Sequence, residues 1–131
     1  MVNLEKTPED LLREEFFRER AVVLGRSGES VQKALEKLKV AEILISELSE
    51  HLHALTDQGG LKGTKRRDLT AMKKKAVDEI NEQIRQYNCM REHAKLRYYY
   101  LIVTREAMGL LRHNWVEKTY PIPPKKEYLQ E

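Results

Sequence analysis

Little in this 131-residue chain marks a chemical site. Cys89 is its single cysteine, which excludes an internal disulfide. Met1 to Asp10 is polar and acidic, without the apolar stretch of a signal peptide. Both features lead us to expect a reducing compartment, the cytoplasm by default. No apolar run approaches the ~20 residues that span a bilayer. The longest, Tyr98 to Val103, is flanked by charges, so no membrane partner is expected. Glycine is scarce, and Gly59, Gly60 and Gly63 lack the spacing and the following Lys-Ser/Thr of a phosphate-binding loop. A dinucleotide fingerprint, a Ser/His/Asp pattern, a zinc finger and an aromatic RNA-binding motif are all missing. These absences predict a protein that is not an enzyme, with no catalytic residue and no cofactor.

What is present is charge at helical spacing. A charged fraction of 34% beside 40% hydrophobic residues is the balance of a long-helix protein rather than a disordered chain. The net charge of +3 hides an asymmetry. Residues 1 to 61 carry 8 basic against 12 acidic side chains, whereas residues 62 to 118 carry 14 against 7. An acidic first half pairing with a basic second half is a common way to set helix register.

Thr7-Pro8-Glu9-Asp10 has the grammar of a helix start: a capping hydroxyl, Pro at the first position, and acids in the first turn. A short helix over about 8–24 is predicted. Its apolar arc, including Leu11, Leu12, Phe16, Phe17, Val22 and Val23, nearly encircles it, so it is expected to be covered. Gly25-Arg-Ser-Gly28 is predicted to end this helix. In the second helix, about 29–56, Val31, Leu38, Ile45 and Leu52 recur every seven residues. Ala34, Ala41, Leu48 and Leu55 follow each of them by three. Such a seam is that of a coiled coil, with close approach at the alanine end.

Asp57 to Gly63 reads as a turn, with Thr64 capping a third helix over about 65–117. So short a connection predicts an antiparallel hairpin. Leu38 then lies level with Ile84 and Val31 with Arg91, and Leu69, Met72, Val77, Ile80, Ile84 and Tyr87 supply the partner stripe. Gly109 is a weak point, marking a close crossing or an early helix end. Arg97 to Thr104 is also rich in strand-forming residues, but nothing strand-like exists to pair with it. Pro121, Pro123 and Pro124 exclude helix from the tail and favour an extended path. The fold expected is therefore all-α: a long antiparallel coiled-coil helical hairpin, a shorter N-terminal helix and an extended Pro-rich C-terminal tail. Residues 1–118 form one helical domain in this reading, and 119–131 the tail.

The third helix carries the most suggestive surfaces. Ala94, Tyr98, Leu101, Met108 and Trp115 form one stripe, while Leu96, Tyr100, Val103 and Leu110 form another about 200° away. A helix apolar on opposite faces is buried between two partners. We therefore expect these nine residues to form a partner or dimer interface, with a homodimer as the first expectation. Its function would be that of a helical protein–protein interaction module: an adaptor, a partner-stabilising chaperone or a regulatory subunit. The alternative is nucleic-acid or other polyanion binding through Lys65, Arg66, Arg67, Lys73, Lys74 and Lys75, because clustered cations gain affinity by counterion release. Cations at a helix start oppose its dipole, so propensity does not account for them. Pairing with Glu47, Glu50 and Asp57 would be the plainer explanation.

Glu50-x-x-His53 has the spacing of helical di-iron ligands, but one copy is too few, and no metal site is expected. Cys89, mid-helix and without an adjacent His, reads as a small buried hydrophobe. The tail matches the P-x-x-P-x-K pattern of polyproline ligands through Pro121, Pro124 and Lys126, although a fold-back of Tyr120 and Ile122 onto Trp115 is the preferred reading.

Overall fold

The structure, a computed structural model, describes residues 5–57 and 66–130. Among these described residues three helices follow one another: α1 (Pro8–Asp57), α2 (Arg66–Ala107) and α3 (Asn114–Thr119). Among the described residues there is no strand, and Arg97 to Thr104 is helical. The two long helices contact each other, so the protein is all-α. The expected turn after Asp57 and the Thr64 cap lie outside the described residues.

The helix start follows the sequence grammar. Thr7 Oγ1 accepts from the Asp10 N–H at 3.2 Å, and Asp10 Oδ2 accepts in return from the Thr7 N–H at 3.3 Å. This reciprocal pair satisfies donors that the first turn leaves open, with Pro8 at the position that needs none.

Gly25 to Gly28 does not end the helix: the expected pair of helices, 8–24 and 29–56, is the single α1. Glycine terminates helices when it adopts a left-handed conformation, and among the described residues only Gly109 has a positive φ. Gly28 has another use. A Cβ built there would lie 2.9 Å from the Tyr120 hydroxyl, so the missing side chain makes room for the ring.

The expected single helix from 65 to 117 is also corrected, in the opposite sense. Gly109, at φ 83°, closes α2. The Leu110 N–H donates to Arg105 O at 2.9 Å and the Gly109 N–H to Glu106 O at 2.9 Å, the two bonds of a Schellman end. The orphan Met108 carbonyl accepts from the Arg20 guanidinium, a cation placed where the helix dipole is negative. The chain restarts as α3.

By their contacts the elements fall into two compact units, Met1–Lys33 with Leu96–Pro121 and Ala34–Lys95 with Ile122–Glu131. In the second unit, Ala34, Leu38, Ala41 and Ile45 of α1 are buried with Ile80, Ile84, Tyr87 and Ala94 of α2. Leu48, Leu52 and Met90 pack on the edge of this cluster. Spacings of three and four keep one line of side chains facing a neighbour along each helix. Leu38, at 2% exposure, illustrates the energetics: burying such a side chain is worth ~1.5–3 kcal/mol. Truncating it to Ala would cost about 2–5 kcal/mol, because the cavity adds to the lost transfer energy. Met72 of the expected stripe is exposed instead.

From Pro121 to Gln130 the chain has neither helix nor strand and is held by side chains of α2. Asn81 bonds the backbone of Leu129 at 2.8 and 3.0 Å, and Asn88 that of Lys126 at 3.0 Å in both directions. Ile122 packs on the core of the second unit, whereas Tyr120 meets Trp115 edge to face at 6.5 Å within the first.

Candidate interaction surfaces

The nine interface candidates separate by burial. Ala94 and Leu101 are buried within the chain, Tyr98 and Met108 half-buried. Leu96, Tyr100, Val103, Leu110 and Trp115 are each more than 40% exposed. The stripe running from Ala94 thus turns inward over most of its length, and the stripe from Leu96 turns out. Burial holds the Tyr98 phenol above its ordinary pKa, assisted by the negative charge of Glu117.

Within the single chain the early helix is not covered. Leu11, Leu12, Phe16, Phe17, Val22 and Val23 are all exposed on α1, in the same unit as the outward stripe. The sequence showed the encircling apolar arc but not that it stays open, because one neighbouring helix can cover only one side of it.

Within this unit Leu24, Gly25, Gly28, Leu101, Arg105, Trp115 and Tyr120 line a hollow of about 300 Å³. Arg105 is its charged wall. Its Nε donates to His113 Nδ1 at 3.3 Å, its Nη2 donates to Arg112 O at 2.9 Å, and the guanidinium lies 6.0 Å from the centre of the Trp115 ring. His113 Nε2 is 3.1 Å from Glu106 Oε1, so the imidazole links the arginine to a carboxylate. These bonds brace the segment between Gly109 and α3, and sequence spacing alone does not reveal them.

The basic candidates lie in the second unit. Arg66, Arg67, Thr70, Ala71 and Lys74 line an open hollow of about 460 Å³, and Lys73 and Lys75 follow on the same helix. Lys65 lies outside the described residues. Among the described residues no ion pair joins Arg66, Arg67, Lys73, Lys74 or Lys75 to Glu47, Glu50 or Asp57. The plainer explanation of this charge run therefore has no contact behind it.

Cys89 is exposed rather than buried, beside a hollow of about 290 Å³ lined by Ala34, Lys37, Met90 and His93. Glu50 and His53 are exposed, and among the described residues no group of three or more His, Cys, Asp or Glu side chains gathers to hold a metal. No helix among the described residues is long and apolar enough to cross a membrane. No known protein family, curated protein or solved structure matches this chain.

Proposed function

We propose that the chain is a non-enzymatic, cytoplasmic helical interaction module that works as a homodimer, in the role of an adaptor, a partner-stabilising chaperone or a regulatory subunit. In this reading α1 and α2 form an antiparallel coiled-coil hairpin, whose alanine-lined seam serves as the scaffold. One observation carries the proposal: the exposed apolar side chains of the first unit. Leu11, Leu12, Phe16, Phe17, Val22 and Val23 on α1, with Leu96, Tyr100, Val103, Leu110 and Trp115, are all at least 41% exposed. So many exposed large apolar side chains in one unit mark an interaction surface rather than the singly scattered hydrophobic residues of an ordinary monomer surface. Light scattering at micromolar concentration tests it. The wild-type chain should have the mass of a dimer, and L12E/F16E that of a monomer with unchanged helix content. A wild-type monomer removes the proposal.

A second reading rests on a separate observation, the basic run from Arg66 to Lys75, which has no ion pair among the described residues. Exposed cations around an open hollow suit a phosphate-rich polyanion, with affinity that falls steeply as salt rises. Filter binding of an RNA or DNA fragment at low and high salt tests this, and no retention at low salt removes it.

A further inference from the structure

From Pro121 to Gln130 the tail has neither helix nor strand, yet its backbone is gripped at residues spaced by three. Asn88 Nδ2 donates to Lys126 O at 3.0 Å, and its Oδ1 accepts from the Lys126 N–H at 3.0 Å. Asn81 repeats the arrangement on Leu129, with bonds of 3.0 and 2.8 Å. Each amide thus offers a tail residue the donor and acceptor that a neighbouring β-strand would offer. The third grip falls on Pro123, which has no N–H to give. There the host residue is Arg91, a donor without an acceptor, and its Nε donates to Pro123 O at 2.7 Å.

The spacing is matched on both sides. Asn81 and Asn88 are two helical turns apart, about 10.5 Å along α2. Three residues of extended or polyproline chain cover about 9–10 Å, so these two grips fall in register as the tail runs against the direction of α2, while Arg91, only about 4.5 Å beyond Asn88 along the helix, reaches Pro123 through its longer side chain. These bonds read main chain and are indifferent to side chains.

Side-chain selection comes from two further contacts. Ile122 packs against the buried cluster of the second unit. The Lys126 ammonium lies 5.1 Å from the centre of the Tyr87 ring and 3.5 Å from the Glu42 carboxylate, a socket made of an aromatic face and an acid. Tyr87 itself is 1% exposed, so its ring is held rigidly by the core.

The geometry points to a peptide-recognition track on this face of α2: it binds, in trans, an extended segment with an apolar residue, a proline next to it, and a lysine four residues after the apolar one. Ile122, Pro123 and Lys126 are that pattern in the chain's own tail, which is the resident occupant. The inference stands apart from the dimer reading, since every residue it uses belongs to the second unit.

The test uses a fluorescent peptide of residues 119–131 and the full-length chain carrying I122D/K126A, whose own tail no longer fits. Anisotropy should rise saturably with this acceptor, and much less with the wild-type chain, whose tail competes. Adding N81A/N88A to the acceptor should weaken binding by about tenfold or more, as expected for the loss of four hydrogen bonds. A K126E peptide should lose binding to the acceptor and regain it when the acceptor also carries E42K, a reversal that does not depend on the asparagine variants folding. Absence of binding to an acceptor of wild-type helix content overturns the inference. So does binding that is indifferent to both the asparagine and the charge-reversal substitutions.

Discussion

The Tyr120 hydroxyl occupies the space that a side chain on residue 28 would need, 2.9 Å from where a Cβ would stand. Three residues earlier, a Cβ on Gly25 would meet nothing within 4 Å. Two glycines of one helix therefore answer to different constraints. G25A should stabilise the protein by about 0.5–1 kcal/mol, the ordinary gain of Ala over Gly in a helix. G28A should lose most or all of that gain to displacement of the Tyr120 ring. In a Y120F background, which removes the crowding oxygen, G28A should become stabilising again. Thermal unfolding of the four variants, read as a double-mutant cycle, checks this; additive effects of G28A and Y120F would contradict it.

Gly109 is the position where left-handed backbone is required, with φ at 83°. G109A should cost about 1–2 kcal/mol, the steric penalty of a Cβ in that conformation. Because the Arg105 bonds to His113 and Arg112 depend on this turn, near-ultraviolet circular dichroism of Trp115 should change with it. A G109A variant as stable as wild type would contradict the assignment.

Stability should fall in alkali through Tyr87. Burial holds its phenol above the ordinary value of 10.0, with Glu42 adding to the shift and Arg91 opposing it. The unfolded chain loses the proton first, so between the two values the folded state binds more protons and stability decreases as pH rises. The contribution is fully present below about pH 10 and is lost as pH rises through the raised value. Denaturant midpoints measured from pH 8 to 11 should decline, and Y87F should flatten much of that decline. An unchanged slope in Y87F would rule this cause out.

Cys89 should react with a maleimide in the native protein, without denaturant, because its side chain is exposed. Stoichiometric labelling at neutral pH with helix content preserved is the expected result. Protection until the chain unfolds would mean that the residue is covered in solution.

Much of the helical pairing could be read in advance. Val31, Ala34, Leu38, Ala41, Ile45 and Leu55, chosen on heptad spacing alone, are buried, and Ile80, Ile84 and Tyr87 are buried on α2. Burial along a long helix is a local, periodic property, so periodicity finds it. Glycine misled because its uses are not local. Gly28 is small on account of a ring 92 positions later, and Gly109 ends a helix through a φ that sequence does not display. The open apolar surface of α1 was visible as composition but not as exposure. Asn81 and Asn88 gave no signal either, since surface asparagines on a helix are unremarkable until an extended chain is laid beside them.

That pairing of amide and backbone also divides evolutionary freedom unequally. Pro124, Glu127 and Tyr128 are exposed, so their side chains can drift without loosening the seat. A change at Asn81 or Asn88 removes two hydrogen bonds at once. Heritable constraint therefore falls on the host helix and, in its guest, on Ile122, Pro123 and Lys126, and only the exposed tail positions around them become places where foreign side chains can be displayed on a held backbone.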